Sequence, residues 1–139
     1  MEERRKMGEK DREIAVGKNR FHLDENNTLN ITVVGEVDEK LAFEFMKSLR
    51  AFDKFPSADG KRNVLVDLNK AGKTSSKARR IFKESCEQAG TGKVAMFGMH
   101  PVARVIASFL IGVTNKKDIG FFKTKKEALA WLKKSKRDE

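Results

Sequence analysis

The sequence predicts an α/β domain, one mixed β-sheet of about five strands with about four α-helices. Three observations carry that prediction. Two short apolar runs, Val64-Leu65-Val66 and Val94-Ala95-Met96-Phe97, show no apolar–polar alternation, as expected of strands covered on both faces. A helical stripe (Ala78, Ile81, Phe82, Cys86, Ala89) lies between them, and a helix between two strands of one sheet implies a parallel crossover. Finally, Arg20–Asp24 and Leu29–Val34 flank Glu25-Asn26-Asn27, which is turn chemistry, so an antiparallel hairpin precedes the parallel part.

The elements follow in order. Residues 1–17 are dense in charges of both signs and read as an N-terminal tail. The domain is expected over 18–134, and 135–139 form a second charged tail. After the hairpin, Asp38 can cap a helix reaching about Phe52, with Leu41, Phe45, Leu49 and Phe52 on one face. A loop through Pro56 and Gly60 leads to the strand at Val64. A polar, hydroxyl-rich turn, Asn69 to Ser76, is expected between that strand and the next helix, which Gly90 ends. Pro101 suits the first turn of a helix over 101–113. Ile119–Phe122 is the last strand. Thr124 and Glu127 form a capping-box pair opening the last helix through Trp131 and Leu132.

A length of 139 residues suits one domain with a core of its own. Hydrophobic content of 39% and charged content of 36% describe a soluble globular chain. No apolar run reaches the ~18–20 residues of a membrane span, and the charged start is unlike a secretory signal. Cys86 is the lone cysteine, so no internal disulfide forms and a cytoplasmic location is expected.

Net charge is +10 and unevenly spread. Residues 61–83 carry eight cations against Asp67 alone, and residues 115–139 carry nine against four. The first block surrounds the turn before the helix at Ser76. Thr74, Ser75 and Ser76 sit there at a helix N-terminus, where unpaired N–H groups and the helix dipole favour an anion, with Lys73, Lys77 and Arg80 alongside. A phosphate, bound or covalently attached, fits that chemistry.

Catalytic motifs are wanting. Ala71-Gly72-Lys73-Thr74 suggests a phosphate-binding loop, but the required first glycine is Asp67. His22 and His100, with one cysteine, give a metal little to bind, and no G-x-S-x-G elbow occurs. The chain is therefore expected not to be an enzyme and to need no cofactor. With no tyrosine and one tryptophan, nucleic-acid stacking would fall to phenylalanines assigned to the core. The helix over 101–113 is too apolar for a surface helix. Val105, Ile106, Phe109, Leu110 and Val113 need more cover than one packing face gives, whether from the neighbouring helix, a partner, a membrane or an apolar ligand.

The hairpin, the strand Val64–Leu68 entering a Ser-bearing helix start, Val94–Phe97, and the closing phrase Phe121-Phe122-Lys123-Thr124-Lys125-Lys126-Glu127-Ala128-Leu129-Ala130-Trp131-Leu132 together resemble the SpoIIAA-like branch of the STAS/SEC14-type domains. The resemblance implies a STAS-like mixed sheet. It also implies that Ser76, placed by its spacing from Asp67, matches the serine whose phosphorylation switches partner binding in anti-sigma-factor antagonists. Ser75 stands where that pattern has an acidic residue, and Lys77 where it has glycine. The SEC14-type side implies an apolar pocket gated by a mobile helix, which 101–113 would match. Three functions follow in order of preference. The first is a regulatory protein-interaction domain, with a partner or a second copy of itself. The second is a carrier or sensor of an apolar ligand or anionic lipid. The third is nucleic-acid binding by charge.

Overall fold

The computed structural model describes residues 12–55, 57, 60–88, 90–113 and 118–134. Six strands are paired in the order in which the chain makes them: β1 (Glu13–Val16), β2 (Asn19–Leu23), β3 (Leu29–Val37), β4 (Arg62–Thr74), β5 (Thr91–Phe97) and β6 (Ile119–Phe122). The first two pairings are antiparallel and the remaining three parallel. Among the described residues the helices are α1 (Glu39–Ala51), α2 (Ser76–Glu87), α3 (Pro101–Val113) and α4 (Lys125–Lys133).

The expected mixed sheet with four helices is present, and Val64–Asp67 pairs in parallel with Val94–Phe97. The sheet has one strand more than the sequence indicates. Residues 13–16, expected in the tail, form β1 instead. A two-residue turn, Gly17-Lys18, returns the chain into β2, with Gly17 at φ 63°. That conformation costs glycine nothing, and glycine in the first turn position matches the twist of the flanking strands. Ile14 and Val16 then pack against the core, which anchors an otherwise charged segment.

Core location follows from strand alternation. Phe21, Leu23, Ile31, Val33, Val64 and Met96 point to one face, where they meet Ala42 and Phe45 of α1, Ala78 and Ile81 of α2, and Ile106 and Leu110 of α3. Leu65, Ala95 and Phe97 point to the other face and meet Ala128 and Leu132 of α4. Strands β4 and β5 are thus covered on both sides, which is why their sequences lack alternation. Buried Asn19 steadies the neighbouring ladder where β3 bulges: its Oδ1 accepts from Val34 N at 2.6 Å and its Nδ2 donates to Val16 O at 3.0 Å.

The expected N-caps hold, but Gly90 does not end α2, which stops at Glu87 with Gln88 as its C-cap in extended conformation. Asp38 Oδ1 accepts from Leu41 N at 2.8 Å and Thr124 Oγ1 from Glu127 N at 3.2 Å. Pro101 is the first residue of α3, and His100 Nε2 lies 2.7 Å from Leu68 O, tying that helix start to β4. No helix among the described residues is long and apolar enough to cross a membrane.

Candidate functional site

The candidate site lies at the C-terminal edge of the parallel strands, where β4 becomes α2. The polar turn expected over Asn69–Ser76 is not a loop. β4 continues to Thr74, pairing Lys70 with Val34, Ala71 with Gly35 and Thr74 with Val37. Ala71 is buried in the core, which offsets the polarity of its neighbours. Ser75 alone makes the turn. Its N–H donates to Val37 O at 3.0 Å, and its hydroxyl accepts from Ala78 N at 3.1 Å as the N-cap of α2. Ser75→Ala is expected to cost about 1 kcal/mol of stability. Chemical denaturation, with Ser75→Asp as a cap-preserving control, checks this.

That arrangement divides the three hydroxyl residues. Thr74 belongs to the strand and lines the core. Ser75 is occupied as a cap. Ser76, the first residue of α2, is exposed. The cations divide as well. Lys73 and Arg80 are exposed, and Lys77 pairs with Glu39 at 3.8 Å. Arg79, which the spacing argument passed over, donates from Nη2 to Ser76 Oγ at 3.4 Å and lies 4.8 Å above the Phe109 ring. The i, i+3 spacing from Ser76 is the signal that would have found it.

The basic block of 61–83 does not form one surface. Arg62 is buried at the other end of β4, roughly 25 Å of strand from Lys70. Lys83 pairs with Glu87 at 3.0 Å. The apolar residues of α3 are not one patch either. Ile106 and Leu110 are in the core and Phe109 is half-buried, whereas Val105 is 58% exposed. Val113's side chain lies outside the described residues. The surplus expected of 101–113 therefore reduces to Val105 and Ile111 at opposite margins of an outer face that also carries Arg104 and Ser108.

Phe43 was not singled out by the sequence, because it lies off the Leu41/Phe45 stripe. It is 48% exposed on α1, one turn beyond Glu39, which reaches Lys77 at the start of α2. Phe43 is thus an exposed ring near the start of α1, the helix that Glu39 links to Lys77. Among the described residues no three His, Cys, Asp or Glu side chains gather as a metal would require.

A family model, the Domain of unknown function DUF7793, matches residues 37–136, from the last residue of β3 through α4. The chain belongs to this family. The DUF7793 match takes in the Ser76 edge and all four helices and leaves out the β1–β2 hairpin. No curated protein matches in sequence. Solved structures share the fold, two of them as follows. One is an uncharacterized protein of the DUF3478 family with a SpoIIAA-like fold from Shewanella loihica PV-4, at 17% identity and TM-score 0.58, covering 86% of this chain and 98% of that one. The other is the anti-sigma factor antagonist SpoIIAA in its unphosphorylated form, at 12% identity and TM-score 0.57, covering 84% and 99%. The DUF7793 chain therefore has a SpoIIAA-like fold, as the order of its elements and its closing helix implied.

Proposed function

We propose that this DUF7793 chain is a non-catalytic regulatory domain that binds another protein through the edge formed by the starts of α1 and α2, and that phosphorylation of Ser76 switches the binding. The observation that carries the reading is the exposed Ser76 hydroxyl on the first turn of α2, with the Arg79 guanidinium already 3.4 Å from it. A phosphate there gains the orphan N–H groups of the helix start, the dipole and a cation. Lys73, Lys77 and Arg80 add charge, and Phe43 gives a partner an apolar anchor. The likeness in fold to SpoIIAA, a protein with an unphosphorylated form, agrees with this choice. The phosphate would also draw Arg79 toward it and off Phe109, which couples the switch to α3.

Phosphopeptide mass spectrometry of the protein from its own cells, with affinity capture of partners by the wild type and by Ser76→Asp, tests the reading. We expect Ser76 to be modified and partner affinity to change at least tenfold, about 1.4 kcal/mol. Unmodified Ser76 together with equal capture by Ser76→Asp would discard the switch. Phe43→Ala losing no partner would discard the edge.

A further inference from the structure

Two cavities share a wall at the end of the sheet opposite Ser76. The inner one, about 80 Å³, lies between the sheet and helices α1–α3 and is walled by apolar groups, among them Phe45, Val66, Phe82 and Leu110. One water needs only about 10–15 Å³, but also two to four polar partners, which these walls scarcely offer. Val66 marks the gap independently. It stands mid-strand in a central strand, on the helix-covered face, yet is only half-buried. Close-packed interiors leave few voids of this kind.

The outer cavity, about 280 Å³, is polar and is lined by Arg50, Asp53, Arg62 and Gln88. Leu49, Val64 and Thr91 line both cavities, so an apolar chamber adjoins a polar vestibule.

Arg62 sets the polarity of the vestibule. It is 9% exposed. Nη1 donates to Phe52 O at 2.7 Å and Nη2 to Phe55 O at 2.9 Å, both neutral carbonyls. Its Nε is buried with no hydrogen-bond partner. Among the described residues no carboxylate comes within ion-pairing distance of it. Desolvation pulls its pKa down, opposed by the charge of Asp53 and assisted by that of Arg12. Asp53 is the nearest source of negative charge in the vestibule, but it makes no ion pair with Arg62, and the Arg12 charge works against it. A desolvated charge without a counter-ion is costly, and a guanidinium suits a planar carboxylate best.

We propose that the paired cavities bind a small amphiphile, with a carboxylate head in the vestibule at Arg62 and a short apolar tail in the chamber. A dry cavity of 150 Å³ in another protein accepts benzene. The chamber here is smaller, so it holds only the end of an alkyl chain, and the rest of a medium-length tail such as that of octanoate lies in the vestibule. The chamber reaches back to Thr74, but the head-group end at Arg62 lies at the other end of β4, and the proposal does not depend on any role for Ser76.

The test is an NMR titration of the full chain with octanoate, 1-octanol and acetate. Octanoate should give saturable shifts at Leu49, Val64, Val66 and Thr91. Octanol, with the same tail and no charge, should bind at least tenfold more weakly, and acetate should give no saturable shift. Val66→Phe, which fills the chamber, should weaken octanoate at least tenfold while keeping a dispersed amide spectrum. If that variant does not fold, the octanoate–octanol comparison on the wild type decides alone. No saturable shift with octanoate, octanol binding as tightly as octanoate, or a folded Val66→Phe that binds octanoate unchanged would each overturn the proposal.

Discussion

Phe45→Ala is expected to remove about 3–5 kcal/mol of stability. Phe45 joins three elements in the main core. Its ring stands edge-on to Phe21 of β2, with centroids 5.3 Å apart at 89°, and lies 5.8 Å from Phe82 of α2. It is 3% exposed, so truncation removes nearly the whole buried ring and leaves a hole next to a chamber that is already underfilled. Edge-to-face pairing adds about 0.5–1.5 kcal/mol beyond area. Domains of this size are stable by only about 5–15 kcal/mol, so the variant should sit close to unfolding. Urea denaturation measures the loss, and Phe45→Leu, which keeps most of the volume, should recover more than half of it. A loss below about 1 kcal/mol for Phe45→Ala would show that the three-element junction does not stabilise the fold as argued.

Gly72→Val is expected to be the other severe change, at about 2–3 kcal/mol, a fall in Tm of roughly 10 °C. A Cβ at position 72 would lie 2.9 Å from Glu36 N and 2.9 Å from Gly35 C. Both are backbone atoms of β3, in a stretch where Gly35 has φ 77° and the register shifts. No rotamer relieves that contact, so the two central strands must part where they lead into the Ser76 edge. Gly112, on the exposed side of α3, is the contrast. A Cβ there meets nothing within 4 Å, and Gly112→Ala should leave stability unchanged or raise it by up to about 1 kcal/mol. Thermal unfolding of both variants checks the pair. A Gly72→Val variant that melts with the wild type would mean that β3 and β4 separate there at little cost.

The elements whose cause is local were legible in the sequence. Asp38, Pro101 and Thr124 act on backbone groups within one turn, and Val64–Val66 and Val94–Phe97 declare two-sided burial by composition alone. What was not legible depended on distant partners. Glu13–Val16 is a strand only because β2 pairs with it. Asn69–Thr74 reads as a turn until β3 is seen to run beside it, because beyond Asp67 β4 has no β5 partner and its polar side chains face water. Arg62 reads as one of a row of surface cations, since nothing nearby in sequence announces that the carbonyls of Phe52 and Phe55 will bury it. Of the candidate site, Ser76 and the exposed cations were legible from the helix start. Arg79's contact with Phe109 and the exposure of Phe43 were not, because both depend on how neighbouring helices dock.

The strand order β1 to β6, matching chain order throughout, bears on how the domain is made. No strand must enter between two that are already hydrogen-bonded, and each parallel pair closes over a single intervening helix. The sheet can therefore grow at one advancing edge as the chain leaves the ribosome, each new helix sealing the strand before it. Closing such short loops costs little entropy and keeps sequence separation between partners low, which favours fast folding for a parallel sheet. At every stage until β6 docks, the edge open to misassociation is the newest strand, so β4 and β5, apolar on both faces, spend the least protected interval.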